Sequence, residues 1–138
     1  MPEQGISFED WLLEWKDEIV QAQEFTKSSL PTTGAEIQVD LNRTTREYPR
    51  MAELLADAKQ HLIARRAAET LAIRRAPEFS ELAAPERKVM VDARVAPIDR
   101  VVDVLKATVR ALDQRSFALM NQRNYEGAAL RMSGRGEG

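Results

Sequence analysis

Residues 98–119 read IDRVVDVLKATVRALDQRSFAL. Ile98, Val102, Leu105, Val109, Leu112, Ser116 and Leu119 recur there at alternating steps of four and three. That spacing places them on one seam of a long helix, in a coiled-coil-like repeat over three heptads. Val101 and Phe117 widen the apolar face, and Thr108 makes one flank partly polar. Downstream, Gly127 reads as a stop, and residues 129–138 read as a flexible tail. Upstream, Pro77, Pro85 and Pro97 punctuate the chain, so the seam helix is expected to start near Val89 or at Ile98, after a loop over 76–86.

A second long helix is expected before that loop, from Asp40 or Thr45 to Arg75. Its stripe is Met51, Leu54, Leu55, Ala58 and Leu62, thinning into Ala64, Ala67, Ala68, Leu71, Ala72 and Ile73. Pro49 fits only close to its start or at a kink, because proline has no N–H to donate. Two long helices joined by a short loop make an antiparallel hairpin. A hairpin leaves apolar surface uncovered, to be buried against other copies or against the first helix; a homo-oligomer is expected, with Ile98, Val102, Leu105, Val109, Leu112 and Phe117 buried in the hairpin or between subunits.

An additional N-terminal helix opens at Ser7, a good N-cap with Asp10 three residues on. Phe8, Trp11, Leu12, Trp15, Ile19, Ala22 and Phe25 form its apolar stripe, opposite Glu9, Glu14, Asp17, Glu18 and Glu24. This amphipathic helix faces either the core or a partner. In the second case Trp11, Trp15 and Phe25 are the candidate anchors, since large aromatics are enriched at interfaces. Residues 27–39 break the helical pattern with Pro31 and Gly34, and Ile37-Gln38-Val39 alternates like an extended segment. The expected fold class is therefore all-α.

The chain has 138 residues, no cysteine and a single histidine, His61. Disulfides, thiolate zinc sites and paired-histidine metal sites are excluded, and no Gly-rich phosphate loop precedes a helix. An enzyme is not expected, nor a cofactor or metal. No apolar run is long enough to span a bilayer and the N-terminus lacks a signal-peptide pattern, so a cytoplasmic location is expected.

The net charge of −2 hides an asymmetry. Residues 1–40 carry two cations and nine anions, whereas residues 41–75 carry eight cations and four anions. Arg65 and Arg66 precede Arg74 and Arg75 by nine residues, about 13 Å on a helix. With Arg87 and Lys88 across the loop they make a candidate phosphate-binding patch.

Two segments resemble the UvsY-type recombination mediators of phages. One is Ile37-Gln38-Val39-Asp40-Leu41-Asn42, leading to Pro49 and the long charged helix. The other is Val89-Met90-Val91-Asp92, continuing to Leu105, Leu112-Asp113-Gln114-Arg115-Ser116-Phe117-Ala118 and Gly127. The likeness spans residues 37–128, setting the acidic helix and linker (1–36) and the tail (129–138) apart. Where the family carries Tyr-Tyr-x-Gly after its central helix, this chain has Ala76-Pro77-Glu78-Phe79.

The resemblance implies single-stranded DNA binding and a ring-like homo-oligomer. It also implies loading of a RecA-like recombinase onto DNA coated by single-strand DNA-binding protein, in the host cytoplasm if the chain is phage-encoded. It places Arg74 and Arg75 at the DNA-binding end of the central helix and centres on Arg115, which reads either as an oligomer contact paired with a carboxylate or as a plain surface charge. The acidic helix then has three readings: a cover for the hairpin, a dock for a partner, or a competitor of DNA for the basic patch. A helical interaction protein without DNA affinity, gripping a partner through its N-terminal aromatics, is the alternative; a structural virion component fits the seam but not the basic cluster.

Overall fold

The structure is a computed structural model and describes residues 5–136, the side chains of 126 and 129–136 excepted. Its described elements are three α-helices, α1 (Phe8–Lys27), α2 (Gly34–Arg75) and α3 (Ala84–Gly136), with a 3-10 turn at Pro77–Phe79 before α3. No strand occurs among the described residues. No described helix is long and apolar enough to cross a membrane.

The start of α1 follows from a local bond. Ser7 Oγ accepts from the Asp10 backbone N–H at 3.1 Å, and Trp11 N–H bonds to the Ser7 carbonyl at 2.9 Å, so orphan donors of the first turn are satisfied. The start of α2 corrects the expectation of an extended Ile37-Gln38-Val39. Thr33 caps the helix there: its Oγ1 accepts from Glu36 N–H at 3.4 Å and its carbonyl from Ile37 N–H at 2.9 Å. Ile37 is thereby turned inward, fully buried with Leu41 and Leu119.

Prolines interrupt less than expected. Pro49 lies inside α2 and Pro97 inside α3. Both side chains are exposed, so each ring faces solvent and displaces no core side chain. Pro85 sits in the first turn of α3, where a missing N–H costs nothing. Ala76, forced toward extended geometry by the following Pro77 (φ −79°, ψ 120°), ends α2. At the other end α3 runs through Gly127 to Gly136. The tail expected over 129–138 thus falls partly in this helix, and residues 137 and 138 lie outside the described residues.

Packing divides the chain into two compact units, one taking the chain up to Asp17 with Glu53–Lys106, the other Glu18–Ala52 with the chain from Ala107. Each unit draws on all three helices, so neither coincides with a sequential segment. In the first unit Phe8, Trp11, Leu54, Ala58, Ile73, Val95 and Ile98 are buried; in the second, Ile19, Phe25, Ile37, Met51, Leu112 and Leu119. Along α3, four residues seven apart (Ile98, Leu105, Leu112 and Leu119) are each no more than 2% exposed. Val102 flanks them first, then Thr108 and Arg115, both buried where Val109 is only half-buried.

Candidate nucleic-acid interface

In the first unit, the last turns of α2 and the first turns of α3 enclose a cleft of about 360 Å³. Arg66, Thr70, Ile73 and Arg74 line it from α2, and Ala84, Arg87, Lys88 and Val91 from α3. Ile73 and Val91 are 1% and 5% exposed and form an apolar floor. Four cations reach the cleft and no carboxylate lines it. The N-terminal turn of α3 adds the positive end of the helix dipole. Such a concavity attracts anions, above all repeated phosphates.

The cations differ in how they are held. Arg66 is paired with Asp92 of α3. Arg74 and Lys88 are exposed, and Arg87 Nε is shielded from solvent with no hydrogen-bond partner among the described residues. Outside the cleft, Arg75 is exposed at the end of α2. Arg65 is turned to α1, where its Nη2 donates to both oxygens of Glu9 at 2.9 and 3.1 Å. The Glu9 carboxyl is held below its usual range, first by its own backbone N–H and then by Arg65. Four of the six cations expected to contact DNA therefore share one cleft, with Arg65 and Arg75 apart from it.

The N-terminal aromatics lie elsewhere than a partner-binding role requires. Trp11 is 4% exposed, stacked on Phe8 with centroids 5.9 Å apart and tilted against His61 at 5.6 Å. Phe25 is 8% exposed in the second unit, with the Arg43 and Arg115 guanidiniums 4.1 and 4.5 Å from its ring centroid. Trp15 is half-buried. Burial against their own chain removes Trp11 and Phe25 from any partner's reach.

Of the two places expected for the seam, within the chain or between subunits, the structure shows the first. Ile98, Val102, Leu105 and Leu112 are buried within the single chain, Val109 is half-buried, and Phe117 alone of that set is 69% exposed. Arg115 does pair with a carboxylate, but with Asp40 of its own chain. Sequence reasoning missed Asp40 as that partner, and it missed Thr70, Ile73, Ala84 and Val91 as cleft residues. Nothing local marks Asp40. The other four follow from Arg66 and Arg87 by successive helical steps of three and four.

His61, facing Phe8 and Trp11, has its pKa lowered mainly by burial, with Arg65 pushing the same way and Asp57 and Glu9 opposing. Its Nε2 has no hydrogen-bond partner among the described residues. The folded state thus prefers neutral imidazole, so the stability is fully present above the unfolded value near 6.5 and declines as the pH falls below it. We expect the urea midpoint of the wild type to drop between pH 7.5 and 5.5, and that of His61→Phe to stay nearly flat. Equal drops in both proteins would assign the effect to other groups.

Among the described residues no three His, Asp or Glu side chains group as metal ligands do. Comparison of the chain with family models, with curated proteins and with solved structures finds no significant match.

Proposed function

We propose that this protein binds single-stranded DNA and acts as a recombination mediator, helping to load a RecA-like recombinase onto DNA coated by single-strand DNA-binding protein. The observation that carries the reading is the convergence of Arg66, Arg74, Arg87 and Lys88 on one cleft without a carboxylate. The mediator step rests on the resemblance of residues 37–128 to the UvsY-type family. In this reading α2 and α3 form an antiparallel hairpin whose looped end carries the cleft, bridged by Arg66–Asp92 and Arg94–Glu69. Copies assemble into a homo-oligomer, so that a modest site repeats and gains avidity. With the seam consumed inside the chain, contacts between copies fall to exposed apolar residues of α3 such as Phe117 and Met120.

The test is fluorescence anisotropy of a labelled single-stranded oligonucleotide at several salt concentrations, with duplex DNA as competitor. Binding is expected to prefer single strands and to weaken with salt, each phosphate contact contributing about −0.7 to the slope of log K against log salt. Absence of binding at low salt overturns the reading. Asp92→Asn supplies a gain-of-function arm. It releases Arg66 from its one carboxylate partner among the described residues, so affinity should rise and the slope steepen by about 0.7. An unchanged or weaker affinity would show that Arg66 does not meet phosphate.

A further inference from the structure

A second groove borders the cleft. Leu62, Ile63, Arg66, Ala67, Thr70, Leu71 and Arg74 line it, all from α2, around a volume of about 550 Å³. Arg66, Thr70 and Arg74 belong to both concavities. These three residues, four apart, form a ridge about 12 Å long on the helix. On one side of it lies the cationic cleft. On the other lies an aliphatic surface with Ile63 63% and Leu71 46% exposed. No carboxylate lines this groove either.

We infer that the Arg66–Thr70–Arg74 ridge and the aliphatic groove of Ile63, Ala67 and Leu71 form the surface that selects single strands, phosphates following the ridge and bases lying on the groove. The inference rests on the proposed DNA binding and says how strand preference arises. A base in a duplex has its faces covered by its neighbours and offers a protein mainly its edges. A base in a single strand exposes its faces, which are apolar and favour transfer from water onto hydrocarbon. Large exposed aliphatic side chains beside Arg66 and Arg74 match that mixture of apolar face and anionic backbone.

The usual alternative, an aromatic platform, is not built here. Phe79, the aromatic residue of the connection, is half-buried and lies against Arg94, whose guanidinium is 5.8 Å from its centroid. Aliphatic contact is non-directional, so the surface accepts any base. Charge complementarity favours a polyanion as occupant, because the groove's only charged lining residues are Arg66 and Arg74.

The experiment compares wild type with Ile63→Ser/Leu71→Ser by anisotropy, using a labelled mixed-sequence single strand and the corresponding duplex. Both side chains are exposed, so the thermal midpoint should hold; Ile63→Ala/Leu71→Ala serves if the serine variant is unstable. Single-strand affinity is expected to fall about tenfold with the salt slope unchanged, and duplex affinity to stay level. Unchanged single-strand affinity in a protein that does bind DNA overturns the groove while leaving the cationic cleft standing. An equal loss on duplex also overturns it. A change of sedimentation without a change of affinity would reassign the groove to contact between copies. A wild type that binds no DNA removes the proposed function and this inference together.

Discussion

Replacing Arg74, Arg87 and Lys88 together by alanine is expected to weaken single-strand binding on the order of a hundredfold near physiological salt, and to flatten the salt dependence by about 2 in slope. The three cations come from both walls of the cleft, and none has an ion pair among the described residues, so their loss leaves no carboxylate stranded. Phosphate contacts are indifferent to base identity, so the loss should be the same for any sequence. Arg75→Ala, exposed but outside the cleft, is the matched control and should shift affinity by only a few-fold. If the control and the triple variant behave alike, the anion-binding surface is a diffuse helix end rather than the cleft.

The second large effect concerns stability. Arg115→Ala is expected to cost about 3–5 kcal/mol, the range for removing one partner of a buried ion pair. The guanidinium donates to Asp40 through Nε at 2.8 Å and Nη2 at 2.7 Å, and it reaches the Ser28 and Ser29 carbonyls at 2.8 and 3.3 Å. Arg115 and Asp40 side chains are 5% and 13% exposed. Without Arg115, Asp40 loses its partner in a poorly hydrated place and two carbonyls after α1 lose their donor. The thermal midpoint should fall on the order of 10 °C. Arg115→Lys should recover part of this, because an ammonium keeps the charge but not the planar fork. A variant with an unshifted midpoint and altered sedimentation would return Arg115 to contact between copies.

Elements written in local spacing were legible beforehand. The Ser7 cap, the stripe from Phe8 to Phe25 and the heptad residues Ile98, Leu105 and Leu112 follow from helical periodicity alone, and each is where the pattern placed it. The start of α2 is also written locally, as Thr33 with Glu36 three residues on, but the nearby Pro31, Gly34 and Ile-Gln-Val alternation mask that cap. Local spacing leaves the places of Pro49 and Pro97 open for a related reason. Periodicity gives no weight to the outer face of a helix, which is where both rings lie. The cations of the cleft were legible as composition, but their convergence depends on how the chain turns between Arg75 and Ala84. Least legible was the fate of Trp11, Phe25 and Arg115. A stripe shows that a face is covered and not by what, and the pairing of Arg115 with Asp40 joins residues 75 apart in the chain.

The interleaving of the two compact units has a consequence for how the protein is made. Each unit needs a piece of every helix, so no contiguous fragment contains one unit without part of the other. During synthesis neither core is complete until its part of α3 has emerged from the ribosome. Removing the N-terminal helix does not trim an appendage but takes Phe8 and Trp11 from one core and Ile19, Ala22 and Phe25 from the other. Point substitution, rather than truncation, is therefore the way to dissect this chain.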